Sequence, residues 1–391
     1  MPAKKKFMFS LEALEARHGD SLLLHFGDPA APRLILIDGG PRGVYNARLR
    51  KRLEALKKSR ANSGALQIDI AMVSHLDDDH IAGISDLVTK MKDRADAGDA
   101  PLFEIVELWN NTFDDIVGKA DPASMGQTAQ VASMFDPGKV PATKRDAAAI
   151  VATVNQGRTL RNAAAALGLT VNAGKSAVAQ GVASTIGSGD RALKLHVLWP
   201  DEGMLDDLHV EWDKKVKANN WVATPASAEI AAYVDDSVYN LASIVVLAEL
   251  GGKRILLTGD ALGSDILEGC RRSSAWKGKP PYKVDVLKVP HHGSDRNVET
   301  SFFRDVPAKH YVISGDGGHG NPEMATLQMI VDARGDADYT VHITNRKGKK
   351  DLARKLTNKL KTFPKKIRDK FVFRDVDAES LVVDLGASLG D

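Results

Sequence analysis

The stretch Ser74-His75-Leu76-Asp77-Asp78-Asp79-His80-Ile81-Ala82-Gly83 joins an apolar run, Ile68 to Ser74, to a helical pattern, Ile81 to Met91. The run reads as a buried strand, because a strand covered on both faces loses its polar alternation. Two histidines and three aspartates then stand within six residues at the strand's end. A solvated acidic turn is the plain alternative, and three other strand ends argue against it. Strand 34–38 closes in Asp38-Gly39-Gly40, strand 254–258 in Gly259-Asp260, and strand 284–289 in Pro290-His291-His292-Gly293-Ser294. Apolar strands anchored in a core deliver such side chains to one rim and hold them there, as a metal site requires.

Carboxylates together with neutral imidazoles suit a divalent ion such as Zn²⁺, Mn²⁺ or Fe²⁺. Such an ion lowers the pKa of a bound water from about 15.7 to about 7, and two ions ~3.5–4 Å apart also stabilise a leaving oxygen. The expected chemistry is hydrolysis by a metal-bound hydroxide, with one or two divalent ions, Zn or Mn, as cofactor.

The rest of the chain alternates in the same style. Residues 5–10 and 21–26 read as strands and 45–59 as a helix. Strands follow at 193–199, at 243–250 and 254–258 (a hairpin across Gly251-Gly252), at 284–289 and at 311–314. A helix at 322–333, a strand at 339–344, a basic helix at 351–361 and a terminal strand pair, 371–375 with 380–384, complete the reading. Residues 111–190 are Ala-rich with few aromatics and read as a helical insertion in a single domain spanning 1–391, with 340–391 as its basic C-terminal extension. The pattern predicts a layered α/β architecture.

Composition excludes other classes. With 43% hydrophobic and 27% charged residues among 391, the chain is an ordinary globular protein. No stretch approaches the ~18 consecutive apolar residues of a membrane span, so no membrane partner is expected. Cys270 is the one cysteine, which leaves no intramolecular disulfide and no thiolate zinc site. With no signal-peptide apolar core in Met1 to Leu14, this predicts a cytoplasmic protein. The net charge of +2 hides a polarised sequence: from Arg346 to Arg374 there are 13 Lys or Arg against Asp351 and Asp369, a balance of +11 that leaves −9 elsewhere. A nucleic-acid partner is therefore not excluded, although a solvated helix face explains the basic run equally well.

The ordered motifs resemble those of the metallo-β-lactamase superfamily, and within it the hydrolase domain of the DNA-uptake competence protein ComEC. The matching segments are His18-Gly19-Asp20-Ser21, Leu36 to Gly40, Ser74 to Gly83, Asn240 to Val246, Leu256 to Asp260 and Leu287 to Ser294. The resemblance implies an αββα sandwich of the metallo-β-lactamase type, with metals at one edge between the sheets. It implies the ligands His75, Asp77, Asp79, His80, Asp260 and His291, with Asp79, His80, Asp260 and His291 on one ion and His75 and Asp77 contributing to the other. It leaves open whether His291 or His292 ligates, the other then contacting substrate or donating a proton. Asp79, His292 and His319 are the implied catalytic residues, and Asp38, Asn240 and Ser294 the groups that support ligands by hydrogen bonds.

Two departures stand out. Asp77 replaces the histidine common at that position, and a harder oxygen ligand shifts preference toward Mn²⁺ or Mg²⁺. The superfamily's middle histidine has only His196 and His209 as candidates, and packing or surface positions explain both better. The function implied is a metal-dependent hydrolase, a phosphodiesterase or nuclease acting on a phosphodiester substrate such as nucleic acid. Alternatives are a hydrolase of a small ester, lactone or amide, and a metal-stabilised binding module without turnover. The oligomeric state is not legible.

Overall fold

The computed structural model describes residues 7–60, 64–111, 156–157, 159–175, 177–206 and 242–389. The first half builds β1 (Met8–Leu14), β2 (Leu22–Asp28), β3 (Ala31–Ile37), α1 (Arg50–Arg60), β4 (Leu66–Met72), α2 (Asp78–Asp96), β5 (Phe103–Trp109) and β6 (Thr170–Val171). The second half builds β7 (Ala183–Ile186), β8 (Leu193–Trp199), β9 (Val245–Leu250), β10 (Lys253–Leu257), α3 (Gly263–Arg272), β11 (Val284–Lys288), α4 (Thr300–Asp305) and β12 (Ala308–Ile313). It continues through α5 (Met324–Arg334), β13 (Thr340–Ile343), α6 (Leu352–Lys361), α7 (Lys365–Arg368), β14 (Phe371–Phe373) and β15 (Ser380–Asp384).

These strands form two mixed sheets, ordered β15-β1-β2-β3-β4-β5-β6 and β14-β13-β12-β11-β10-β9-β8-β7. Three apolar clusters define the layers. Leu11, Leu24 and Ile37 of the first sheet meet Val197, Val246 and Val286 of the second in a core between the sheets. Leu53 and Leu56 of α1 and Ile84, Leu87 and Val88 of α2 cover the outer face of the first sheet. On the outside of the second, Ile266, Phe302, Leu327 and the Leu352/Leu356 stripe of α6 do the same. Four-residue spacing puts those two leucines on one helix face and leaves the lysines of α6 in water.

Strand polarity decides where chemistry can gather. β3, β4 and β5 run parallel, as do β10 through β14 in succession. Loops leaving such strands emerge on one rim, the usual place for a ligand site in parallel sheets. The β9–β10 hairpin turns where expected, at Gly251 (φ 59°) and Gly252 (φ 76°), a pair of positive φ values that favours glycine.

Several expectations change. The terminal strands do not pair with each other: β14 extends the second sheet beside β13, whereas β15 crosses to the first and pairs with β1. Of the segment 111–190, residues 112–155, 158 and 176 lie outside the described residues. The described part holds a helical turn at 159–166 but also β6 and β7, the edge strands of the two sheets. Among the described residues, no helix is long and apolar enough to cross a membrane.

Candidate metal centre

The centre lies on the rim formed by the ends of β3, β4, β10 and β11. After β3, Asp38 adopts φ 57°, a conformation that costs a non-glycine residue on the order of 1–3 kcal/mol and is held only where surroundings impose it. The constraint is close packing: a Cβ on Gly39 would stand 2.2 Å from the Ile84 nitrogen, and one on Gly83 would stand 2.0 Å from the Gly39 oxygen. Only paired glycines let the start of α2 seat against the end of β3. The Gly39 N–H then donates to the His80 carbonyl at 2.7 Å.

This seating sets the imidazoles. His80 Nδ1 lies 2.8 Å from Asp38 Oδ2, a carboxylate that can only accept, so Nδ1 carries the proton and Nε2 faces inward as a lone pair. The Ser74 hydroxyl donates to Asp38 Oδ2 at 2.7 Å and so accepts from His75 Nδ1 at 3.2 Å, turning His75 Nε2 inward too. His292 Nδ1 donates to the Ser314 carbonyl at 3.1 Å. His291 Nδ1 pairs with Asn297 Oδ1 at 2.8 Å, while Asn297 Nδ2 donates to the Asp260 carbonyl. The outward hydrogen bonds thus leave four Nε2 lone pairs around Asp260.

The distances suit a divalent cation. His80 Nε2 and His292 Nε2 stand 3.1 Å apart with no donor assigned between them. Two nitrogens each ~2.0–2.1 Å from a tetrahedral Zn²⁺ are about 3.3 Å apart. Asp260 Oδ1 is 3.4 Å from His80 Nε2, and Asp260 Oδ2 and Asp79 Oδ2 are each 3.5 Å from His292 Nε2. On the other side, His75 Nε2 is 3.6 Å from Asp77 Oδ2 and 3.7 Å from Asp260 Oδ2. His75 Nε2 and Asp260 Oδ1 are buried without a hydrogen-bond partner, a costly state unless something positive binds them. The buried set Asp20/His80/Asp260/His292 and the set His75/Asp79/His80, in which Asp79 is half-buried, could each hold a metal ion.

Charge tells the same story. Burial works against protonation of His80 and His292, but the carboxylates, Asp260 foremost, outweigh it and raise both well above the usual imidazole range. Burial likewise opposes ionisation of Asp260, and the surrounding imidazoles, His292 first, hold it well below the usual carboxylate range. Without a cation the cluster must take up protons to balance its carboxylates.

Not every expected residue stands in the cluster. His292, not His291, faces His80; His291 sits at the rim, its side chain 32% exposed and its Nε2 3.6 Å from Asp260 Oδ2. Ser294 turns away, its hydroxyl accepting from the Arg296 N–H. Asn240 and His209 lie outside the described residues, and His196 is engaged on β8 with Glu249 at 3.1 Å. His319 is exposed at the mouth, its ring 4.7 Å from that of His18. Residues outside the expected site also take part: Ser74, Asn297, the Ser314 carbonyl, and Asp20, which is buried in an ion pair with Lys288 at 2.5 Å and lies 3.5 Å from His292 Nδ1. Asp20 had a signal in the quoted His18-Gly19-Asp20-Ser21, and Asn297 had none.

Fold and site together define an α/β protein of two mixed sheets with a buried histidine–aspartate cluster that could hold a divalent metal. No family model matches the chain. Among curated proteins it is similar to microtubule-associated protein 1A of Mus musculus, 33% identical over 90 residues, which cover 23% of this chain and 3% of that protein. It is also similar to ComE operon protein 3 of Bacillus subtilis, 32% identical over 98 residues, 25% of this chain and 12% of that protein. The chain thus spans only a small fraction of either relative. Among solved structures, a "Putative metal-dependent hydrolase" of Parabacteroides distasonis aligns over 86% of this chain and 98% of its own at 11% identity, with a TM-score of 0.32.

Proposed function

We propose that the protein is a metal-dependent hydrolase of the metallo-β-lactamase type, similar to the ComEC-like hydrolases, and that it cleaves phosphodiester bonds. The observation that carries this reading is the pair of inward Nε2 lone pairs, His80 and His292, 3.1 Å apart beside Asp79 and Asp260. Asp79, His80, Asp260 and His292 would hold one ion, and His75 with Asp77 would contribute to a second. When bound, a divalent ion of this kind supplies Lewis acidity and an activated water at neutral pH.

The chain's own groups do the remaining work. Asp38, Ser74 and the Ser314 carbonyl hold the rings in one tautomer and orientation, so no reorganisation is needed as charge develops. His291 would donate a proton as an imidazolium: Asn297 Oδ1 accepts from its Nδ1–H, and the Nε2–H at the rim would pass to the departing oxygen, leaving the ring neutral. His319, at the mouth against His18, would contact a phosphate oxygen of the substrate.

Purified protein, loaded with Mn²⁺ or Zn²⁺, is to be assayed on a chromogenic phosphodiester, on single- and double-stranded DNA, on RNA and on cyclic dinucleotides. The expected result is turnover that an Asp79→Ala, His80→Ala double substitution abolishes. Unchanged turnover in that variant would exclude this centre as the seat of catalysis.

A further inference from the structure

We propose that the Arg346–Lys350 loop and the recess beside it form a phosphate-binding ledge, which runs from the metal rim and takes a single strand of nucleic acid. The proposal rests on the phosphodiesterase reading above and specifies its substrate as a polymer.

Topology places the ledge. Because β10 to β14 run parallel, the segments after them share one rim: Asp260 after β10, His292 after β11, His319 after β12, Arg346 to Lys350 after β13. At ~4.8 Å per strand, β13 lies about 10 Å from β11 and β14 about 14 Å from it. The basic loop is clamped to the loop that carries His319. The Lys349 N–H donates to the Asp316 carbonyl at 2.6 Å, and a Cβ on Gly317 would stand 2.4 Å from the Lys349 oxygen. The cations therefore have a fixed place beside the site.

Their charge is unspent. Elsewhere in the basic segment Arg354, Lys365 and Lys366 pair with Asp351, Asp369 and Asp336. Arg346, Lys347, Lys349 and Lys350 are exposed and have no carboxylate partner among the described residues, and neither do Lys361 and Arg368.

Beside the loop lies a recess of about 290 Å³ lined by Arg346, Lys361, Arg368, Phe371 and Phe373, with the Arg346 guanidinium 5.3 Å from the Phe373 ring centre. Small-molecule sites usually measure about 300–1,000 Å³, so the recess suits part of a long ligand that lies across it. Cations along a track with an aromatic and a guanidinium plane beside it are the equipment of single-strand binding.

The test is equilibrium binding of a short fluorescein-labelled single DNA strand to the full chain, across a range of salt concentrations. It is done on the intact protein and on the R346Q/K347Q/K349Q/K350Q and R346K/K347R/K349R/K350R variants. The glutamine variant is expected to lose at least about tenfold in affinity, and its slope of log affinity against log salt to become shallower by about 3, at ~0.7 per lost contact. The charge-preserving variant is expected to bind as the intact chain does. Equal binding by the glutamine variant would overturn the proposal. So would anionic phosphatidylserine vesicles that bind as tightly as the strand and depend on the same four residues. Hydrolysis is not read here, so failure of the ledge and failure of the hydrolase reading give different results: no strand binding by the loop in one case, no phosphodiester turnover in the other.

Discussion

Two buried histidine–acid clusters, one on the first sheet and one on the rim where both sheets end, separate scaffold from site by their contrast. Where α1 crosses the sheet, Glu12 forms an ion pair with Arg52 at 2.9 Å and accepts from His25 Nε2 at 2.8 Å and from Ser380 at 2.6 Å, while Arg60 donates to His25 Nδ1 at 2.9 Å. Both His25 nitrogens are engaged, and two guanidiniums supply the countercharge. The rim cluster has more carboxylates and more imidazoles, a single buried Lys288 behind Asp20, and orphaned His75 Nε2 and Asp260 Oδ1. The first network carries its own countercharge; the second has an excess of inward carboxylates and lone pairs that a cation could balance.

The sharpest way to break this contrast is to remove ligands. The Asp79→Ala, His80→Ala protein should lose turnover entirely and should no longer be stabilised by Zn²⁺ or Mn²⁺, whereas the intact chain should gain about 2.7 kcal/mol at a hundredfold excess over Kd. Thermal unfolding with and without metal reads this. The complementary change, Glu12→Ala, should cost about 3–5 kcal/mol of stability, because it leaves His25 buried without its acceptor and the half-buried Arg52 without its countercharge. Its metal-induced stabilisation should match that of the intact chain.

The acid limb of stability sharpens the same point. Burial raises the Glu12 pKa, but His25 and Arg52 outweigh it and bring it down from 4.5 to about 2. A carboxyl depressed in the folded state contributes stability that is fully present above its ordinary pKa and lost as pH falls through the lower value. Glu12 should therefore contribute about 3 kcal/mol near neutrality, lost between roughly pH 4.5 and pH 2. Denaturant unfolding of the intact and Glu12→Gln chains across that window should show the difference shrinking as acid is added.

Smaller effects follow from position. Asp38→Asn keeps the size of the residue but removes the acceptor that sets the His80 tautomer, and should cost ~10–100-fold in metal affinity, read by competition with a chelating dye. His196→Ala breaks a half-exposed pair with Glu249 and should change stability by less than about 1 kcal/mol, with metal affinity unchanged.

Much of this was legible because buried parallel strands write themselves as apolar runs, and their ends as abrupt polar residues. Ile68 to His80 is such a passage, and so are Leu34 to Gly40 and Val284 to Ser294. The choice between His291 and His292 was not legible: strand periodicity ends at Pro290, and the two residues that follow adopt φ 46° and 53°. Once the backbone turns left-handed, alternation no longer tells which side chain faces the core. β5, Phe-Glu-Ile-Val-Glu-Leu-Trp, went unread although it alternates, and so did α3, whose short stripe Ile266/Gly269/Cys270 carries few apolar residues. The terminal strands misled because neighbours in sequence usually pair, and here 374–379 carries the chain from one sheet to the other.

The central claim is that the rim cluster is a divalent metal centre. Crystals of the full chain grown with Zn²⁺, and separately with Mn²⁺, measured on both sides of the metal's absorption edge, test it most directly. An anomalous peak is expected, bonded to His80 Nε2 and His292 Nε2 together with Asp79 and Asp260. At saturating metal, no peak there, with His80 and His292 protonated and paired to the aspartates instead, would contradict it.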